Sequence, residues 1–178
     1  MATLTLIVSL ISRREIAAAN GLYHTDQLVI DTGSANTWVG AKNNYVETSN
    51  SVNTGKEVQI PNSGTAVVGT QCMDIVRLGN RLTIFDQRIG VASNSPYIRG
   101  ADGVLGLGPV DLTLGTLTDE PMTTIPTVTQ SLYTERIILQ EVVSISFNPV
   151  SSTEMVFGRL TFGTSRSQST ATGRLGYT

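Results

Sequence analysis

The sequence predicts a mainly β protein. Apolar residues fall in short runs rather than in helical stripes. Turn formers such as Gly79-Asn80 and Pro61-Asn62-Ser63-Gly64 separate those runs. Charged residues make up only 15% of the chain, beside 17 glycines. Short strands bounded by Gly, Asn, Ser and Pro give that balance; soluble proteins average about 25% charged residues. The 178 residues suit one domain, and a hydrophobic fraction of 40% is not that of a disordered chain.

Taken in order, residues 4–11 form an apolar run sized for a strand or for the core of a signal peptide. No basic residue precedes it, Arg13 and Arg14 follow it, and it is far shorter than the roughly 20 residues of a membrane span. Residues 1–25 are set apart as a poorly matched amino-terminal segment, and residues 26–178 as the domain. Leu28-Val29-Ile30 reads as a strand that runs into Asp31, and residues 37–39 are β-rich. Further strands are expected at 65–68, 75–78, 82–85 and 88–92, with a turn at Gly79-Asn80. One helix is expected after Pro126, where Val128, Leu132 and Tyr133 recur at helical spacing. Val143, Ile145 and Phe147 alternate with Ser144 and Ser146, as in a half-buried strand. Residues 149–153 read as a loop. Residues 156–157 and 160–162 read as a hairpin broken at Gly158, and 165–172 as a polar surface loop.

Several function classes drop out. A net charge of −2 with scattered arginines gives no reason to expect nucleic acid or an anionic membrane as partner. Cys72 is the sole cysteine, so no intrachain disulfide or paired-cysteine zinc site can form; it reads as a small buried hydrophobe. His24 is the sole histidine and reads as a surface-loop residue, so no metal site is expected. Phosphate-loop and dinucleotide fingerprints are absent, and no cofactor is expected.

The informative stretch is Val29-Ile30-Asp31-Thr32-Gly33-Ser34-Ala35-Asn36-Thr37-Trp38-Val39. Asp-Thr-Gly-Ser alone would read as a surface turn. The apolar residues before Asp31 and Trp38-Val39 after it point instead to a carboxylate held at a strand end. A second stretch, Asp102-Gly103-Val104-Leu105-Gly106-Leu107-Gly108, reads alone as a Gly-rich turn around a buried strand.

Together, in this order, the two stretches resemble the pepsin family of aspartic proteases. The first resembles its amino-terminal active-site motif, and the second the apolar-apolar-Gly segment that packs on the aspartate loop. Ile89-Gly90-Val91-Ala92-Ser93, Ile125-Pro126-Thr127-Val128 and Leu160-Thr161-Phe162-Gly163 extend the likeness to the secreted fungal, polyporopepsin-like branch. The resemblance implies a single amino-terminal lobe of the pepsin-like acid protease fold, mainly β with one or two short helices. It implies Asp31 as a catalytic aspartate, supported by Thr32, Gly33, Ser34, Trp38 and Gly106. Thr32 would lock the loop through its hydroxyl, Gly33 would allow close backbone approach, and Ser34 would hydrogen-bond the carboxylate. It also implies an extended polypeptide substrate and a secreted or vacuolar location.

Two departures matter. In the family a hairpin flap carries a tyrosine over the cleft; here that position falls on Asn62, with Ser63 and Gly64 completing the tip. The mechanism also needs a second aspartate. Ala171-Thr172-Gly173 has no carboxylate, and Asp111-Leu112-Thr113 has no glycine in place. The chain is therefore expected to act with a second lobe or a second copy, the isolated chain being incomplete. The alternative is a non-catalytic pepsin-like binding or inhibitor protein.

Overall fold

A computed structural model describes residues 5–12, 24–62, 64–78, 82–98, 100–147, 156–163 and 169–176. The strands are β1 (Thr5–Ser12), β2 (His24–Asp31), β3 (Trp38–Val39), β4 (Val52–Asn62), β5 (Thr65–Leu78), β6 (Leu82–Asn94), β7 (Gly103–Gly106), β8 (Val143–Phe147), β9 (Val156–Phe162) and β10 (Ser169–Gly176). They form one sheet in the order β4-β5-β6-β3-β7-β2-β1-β10-β9-β8. A 3-10 turn (Val110–Thr113) and one helix, α1 (Val128–Thr134), complete the described elements. This matches the expected mainly β lobe with one or two short helices.

The centre of the sheet explains its apolar sequence. Leu28, Val29 and Ile30 of β2 and all four residues of β7 are buried. The two strands run parallel, Leu28 opposite Gly103 and Asp31 opposite Gly106. Parallel strands covered on both faces need continuous apolar runs rather than alternation. β7 also pairs antiparallel with β3, Trp38 opposite Val104. It thus threads between the two strands that flank the Asp31 loop. That threading requires glycine: a Cβ on Gly103 would stand 1.9 Å from the Trp38 carbonyl oxygen.

The core falls into two clusters. One gathers Leu28, Ile30, Val39, Leu78, Ile84, Leu105, Leu132 and Phe162. The other surrounds Trp38 with Val58, Ile60, Val67, Val104, Leu117 and Ile125. Helix α1 begins where expected. Thr127 caps it by accepting the Gln130 amide at 3.2 Å, and Val128 and Leu132 face the first cluster. It closes on Arg136 in the left-handed region, φ 60°, with the Ile137 amide reaching back to the Leu132 carbonyl at 2.9 Å.

Several expected elements differ. The pieces at 65–68 and 75–78 belong to one 14-residue strand, and those at 82–85 and 88–92 to one 13-residue strand. Register shifts between Val68 and Gly69 and between Asp74 and Val76 bound the gap read in β5, and the second lies opposite the gap read in β6. Gly158 does not break a hairpin, because β9 runs through it and pairs it with Gly173. The polar stretch over 165–172 is a strand from Ser169, paired with both β1 and β9. His24 opens β2 opposite Ser12 and so lies in a strand, not a loop. The apolar run near the start of the chain forms β1. The turn at Gly79-Asn80, the loop at 149–153 and residues 13–23 lie outside the described residues.

Candidate active site

Asp31 is the last residue of β2 and is half-buried. The buried strand behind it fixes its backbone, and Leu107 donates to its carbonyl at 2.8 Å. Its side-chain Oδ1 accepts the Gly33 amide at 2.8 Å. The carboxylate is therefore turned back over its own loop. A Cβ on Gly33 would lie 3.3 Å from that oxygen, so glycine leaves the room the contact uses.

β7 braces the loop from below. Gly108 donates to the Ser34 carbonyl at 2.8 Å. A Cβ on Gly106 would meet the Ala35 carbonyl carbon at 2.4 Å and the Asn36 oxygen and nitrogen at 2.6 and 2.7 Å. Only a residue without a side chain lets β7 pass this close beneath the loop at Gly106. Ser34 takes part through its backbone, and the bond on Asp31 Oδ1 comes from Gly33 rather than from the Ser34 hydroxyl. Thr32 is exposed, and no hydrogen bond from its hydroxyl appears among the described residues. Trp38, 2% exposed, anchors the far end of the loop in the second core cluster.

The β4–β5 hairpin carries the predicted flap tip, with Asn62 opposite Thr65. Asn62 is half-buried and Gly64 has φ 85°, the left-handed geometry a tight tip needs; Ser63 lies outside the described residues. Below the tip, Ile60 and Val67 pack in the Trp38 cluster. A Cβ on Gly90 would touch both Ile60 Cδ1, at 3.0 Å, and Trp38 Cβ, at 3.1 Å. The hairpin base is clamped as well. Gln59 donates to the Thr116 carbonyl at 2.8 Å, and Thr118 donates to the Glu57 carbonyl at 3.1 Å. Lys56 Nζ lies 2.7 Å from Glu120 Oε2, and that hydrogen bond holds the Glu120 carboxyl below its ordinary range.

Two buried carboxylates, Asp102 and Asp74, were not legible as anchors. Asp102 accepts the Gln27 amide at 2.8 Å and the Asn43 side-chain amide, joining the strand before Asp31 to the loop after Trp38. Asp74 accepts from Tyr45 at 2.6 Å, Ser51 at 2.8 Å and the Ile75 amide at 2.7 Å. Burial, and the bond to Asp74, push the Tyr45 phenol well above its ordinary value. The polar residues between 43 and 51 gave no periodic signal. Cys72 is buried, as expected; burial pushes its thiol up to about 11. Among the described residues no group of His, Cys, Asp and Glu could hold a metal ion, and no helix is long and apolar enough to cross a membrane.

A family model described as eukaryotic aspartyl protease matches residues 23–178. Over 154 residues, 86% of this chain, the sequence is 46% identical to polyporopepsin from Irpex lacteus, and the match spans 45% of that protein. The fold superposes on a crystal structure of an aspartic proteinase from Irpex lacteus with a TM-score of 0.79 and 38% identity. That superposition covers 93% of this chain and 48% of the other. The chain thus spans about half the length of these relatives.

Proposed function

This chain belongs to the eukaryotic aspartyl protease family, and we propose that Asp31 is one of the two carboxylates of an aspartic-type endopeptidase. The observation that carries this is the placement of Asp31. A carboxylate ends a buried strand, is oriented by the Gly33 amide and is braced by a glycine that admits no side chain. Peptide hydrolysis needs an activated water and a polarised carbonyl. Two close carboxylates supply both by sharing one proton, so that one draws the proton from water while the other donates to the carbonyl. That sharing is an established property of aspartic protease pairs, and the pair titrates as a unit. The second carboxylate comes from a second lobe, or from a second copy related by a two-fold axis. The substrate is an extended polypeptide held under the hairpin tipped by Asn62, Ser63 and Gly64. Gly33, the Ser34 backbone, Trp38 and Gly106 support the loop. The secreted fungal likeness supports a secreted or vacuolar location.

Asn62 favours a second reading. The family tyrosine that roofs the cleft is replaced by a short amide, which suits a protein that binds polypeptide without cleaving it.

The test is cleavage of a denatured protein by the purified chain from acidic to neutral pH, with and without pepstatin, beside Asp31→Asn. Pepstatin-sensitive cleavage that Asp31→Asn abolishes supports a dyad formed by self-pairing. No cleavage and no pepstatin binding leaves Asp31 awaiting its second lobe. Pepstatin or peptide binding by the folded chain without turnover favours the binding protein.

A further inference from the structure

We propose that Thr116 is a positioning residue that ties the base of the Asn62 hairpin to the Asp31 loop. Its catalytic meaning rests on the reading of Asp31 given above, but the link itself is a property of this chain. Thr116 is 2% exposed and lies in the segment that leaves the 3-10 turn. With its backbone it accepts the Gln59 amide of β4 at 2.8 Å, and Leu117 beside it bridges Val58. With its hydroxyl it contacts the Thr113 carbonyl at 2.6 Å and the Asn36 side-chain amide at 3.3 Å. Asn36 is 4% exposed and sits between the Asp31 turn and Trp38. One residue thus touches both sides of the candidate site, which are otherwise far apart in sequence.

A hydroxyl has one proton, and the 2.6 Å contact to Thr113 takes it. The longer 3.3 Å contact to Asn36 Oδ1 shares that proton as the weaker branch of a three-centre bond. The segment that carries Thr116 is itself braced. Thr113 Oγ1 donates to the Val110 carbonyl at 2.7 Å and accepts the Ile125 amide at 2.8 Å, and Gly115 donates to the Pro121 carbonyl at 2.8 Å. A rigid bracket with a polar contact at each end transmits displacement between hairpin and loop; a hydroxyl that served only its own turn would need nothing beyond Thr113.

Amide hydrogen exchange of the intact chain, without substrate, tests this separately from any activity. Two amides report the ends of the link: Gln59, bonded to Thr116, and Gly108, bonded to the Ser34 carbonyl. Loss of one buried hydrogen bond corresponds to about fivefold faster opening. Thr116→Val is expected to speed exchange at both amides about fivefold over the β5–β6 ladder, and Thr116→Ser to restore the original rates. Asn36→Ala, which leaves the Thr116 chain untouched, is expected to speed exchange at Gln59 on the far side. That variant decides the matter even if Thr116→Val does not fold. Unchanged Gln59 exchange in Asn36→Ala, or equal acceleration across the whole ladder, overturns the proposal.

Discussion

Replacing Gly106 with alanine adds one methyl group at the point where β7 crosses beneath the Asp31 loop. The new Cβ would stand 2.4 Å from the Ala35 carbonyl carbon and 2.6 Å from the Asn36 oxygen, where ordinary contact begins at 3.4 Å. The loop or the strand must therefore shift by about 1 Å, and both obstacles are backbone, which no rotamer change can relieve. Gly106 does not occupy the left-handed region, so alanine carries no φ penalty and gains roughly 0.5 kcal/mol from a less flexible unfolded chain. Overpacking of a tight interior costs about 1–3 kcal/mol, and a backbone clash belongs at the upper end. The net loss is about 2 kcal/mol, or about 4–8 °C in melting temperature for a domain of this size. Trp38 is the only tryptophan and anchors the displaced loop, so its emission reports the shift directly. Differential scanning calorimetry and Trp38 fluorescence are measured for Gly106→Ala beside Gly55→Ala. A Cβ on Gly55 meets nothing within 4 Å and carries only a left-handed φ of 71°. Gly106→Ala is expected to change Trp38 emission and Gly55→Ala is not. A Gly106→Ala protein that melts within about 1 °C of the parent, with unchanged emission, would refute the close-approach argument.

Other outcomes follow from the same structure. Tyr45→Phe removes a donor from the buried Asp74 carboxylate; urea denaturation should show a loss of about 1.5–3 kcal/mol. Thr127→Ala removes the cap of α1 and should cost about 1 kcal/mol by the same measurement. The Cys72 thiol has a folded pKa of about 11, above its unfolded value near 9. The unfolded thiol therefore ionises first, and the Cys72 contribution to stability, intact below about pH 9, is lost as pH rises toward 11. Urea midpoints for the parent and Cys72→Ala should converge over that interval, and native Cys72 should resist iodoacetamide until the chain unfolds.

Where burial wrote itself into composition, the fold was legible. Leu28-Val29-Ile30 and Gly103-Val104-Leu105-Gly106 are apolar because strands covered on both faces have no polar side. β4 left no such mark. It is an edge strand whose early residues Asn53, Gly55, Lys56 and Glu57 face solvent or half-face it, and only Val58 and Ile60 are buried. Pro61 near its end looks like a turn residue, yet an edge strand tolerates a missing donor. β10 has a similar history, since Ser, Thr and Gly owe their strand state to neighbours on both sides. These are tertiary preferences, invisible to a local pattern. At the site, Asp31, Gly33 and Gly106 stood out in the sequence through the two stretches that resemble family motifs. The contacts of Thr116 with Asn36, and of Tyr45 and Ser51 with Asp74, were not, because those partners lie 23 to 80 positions apart in sequence.

We propose Asp31 as one half of a catalytic pair. The most direct measurement joins residues 23–178, the span that matches the family, to the carboxy-terminal half of the Irpex lacteus polyporopepsin and assays proteolysis at acidic pH. Pepstatin-sensitive cleavage that Asp31→Asn abolishes, with the protein still folded, is the expected result. A folded chimera that cleaves nothing, or one whose cleavage survives Asp31→Asn, would contradict it.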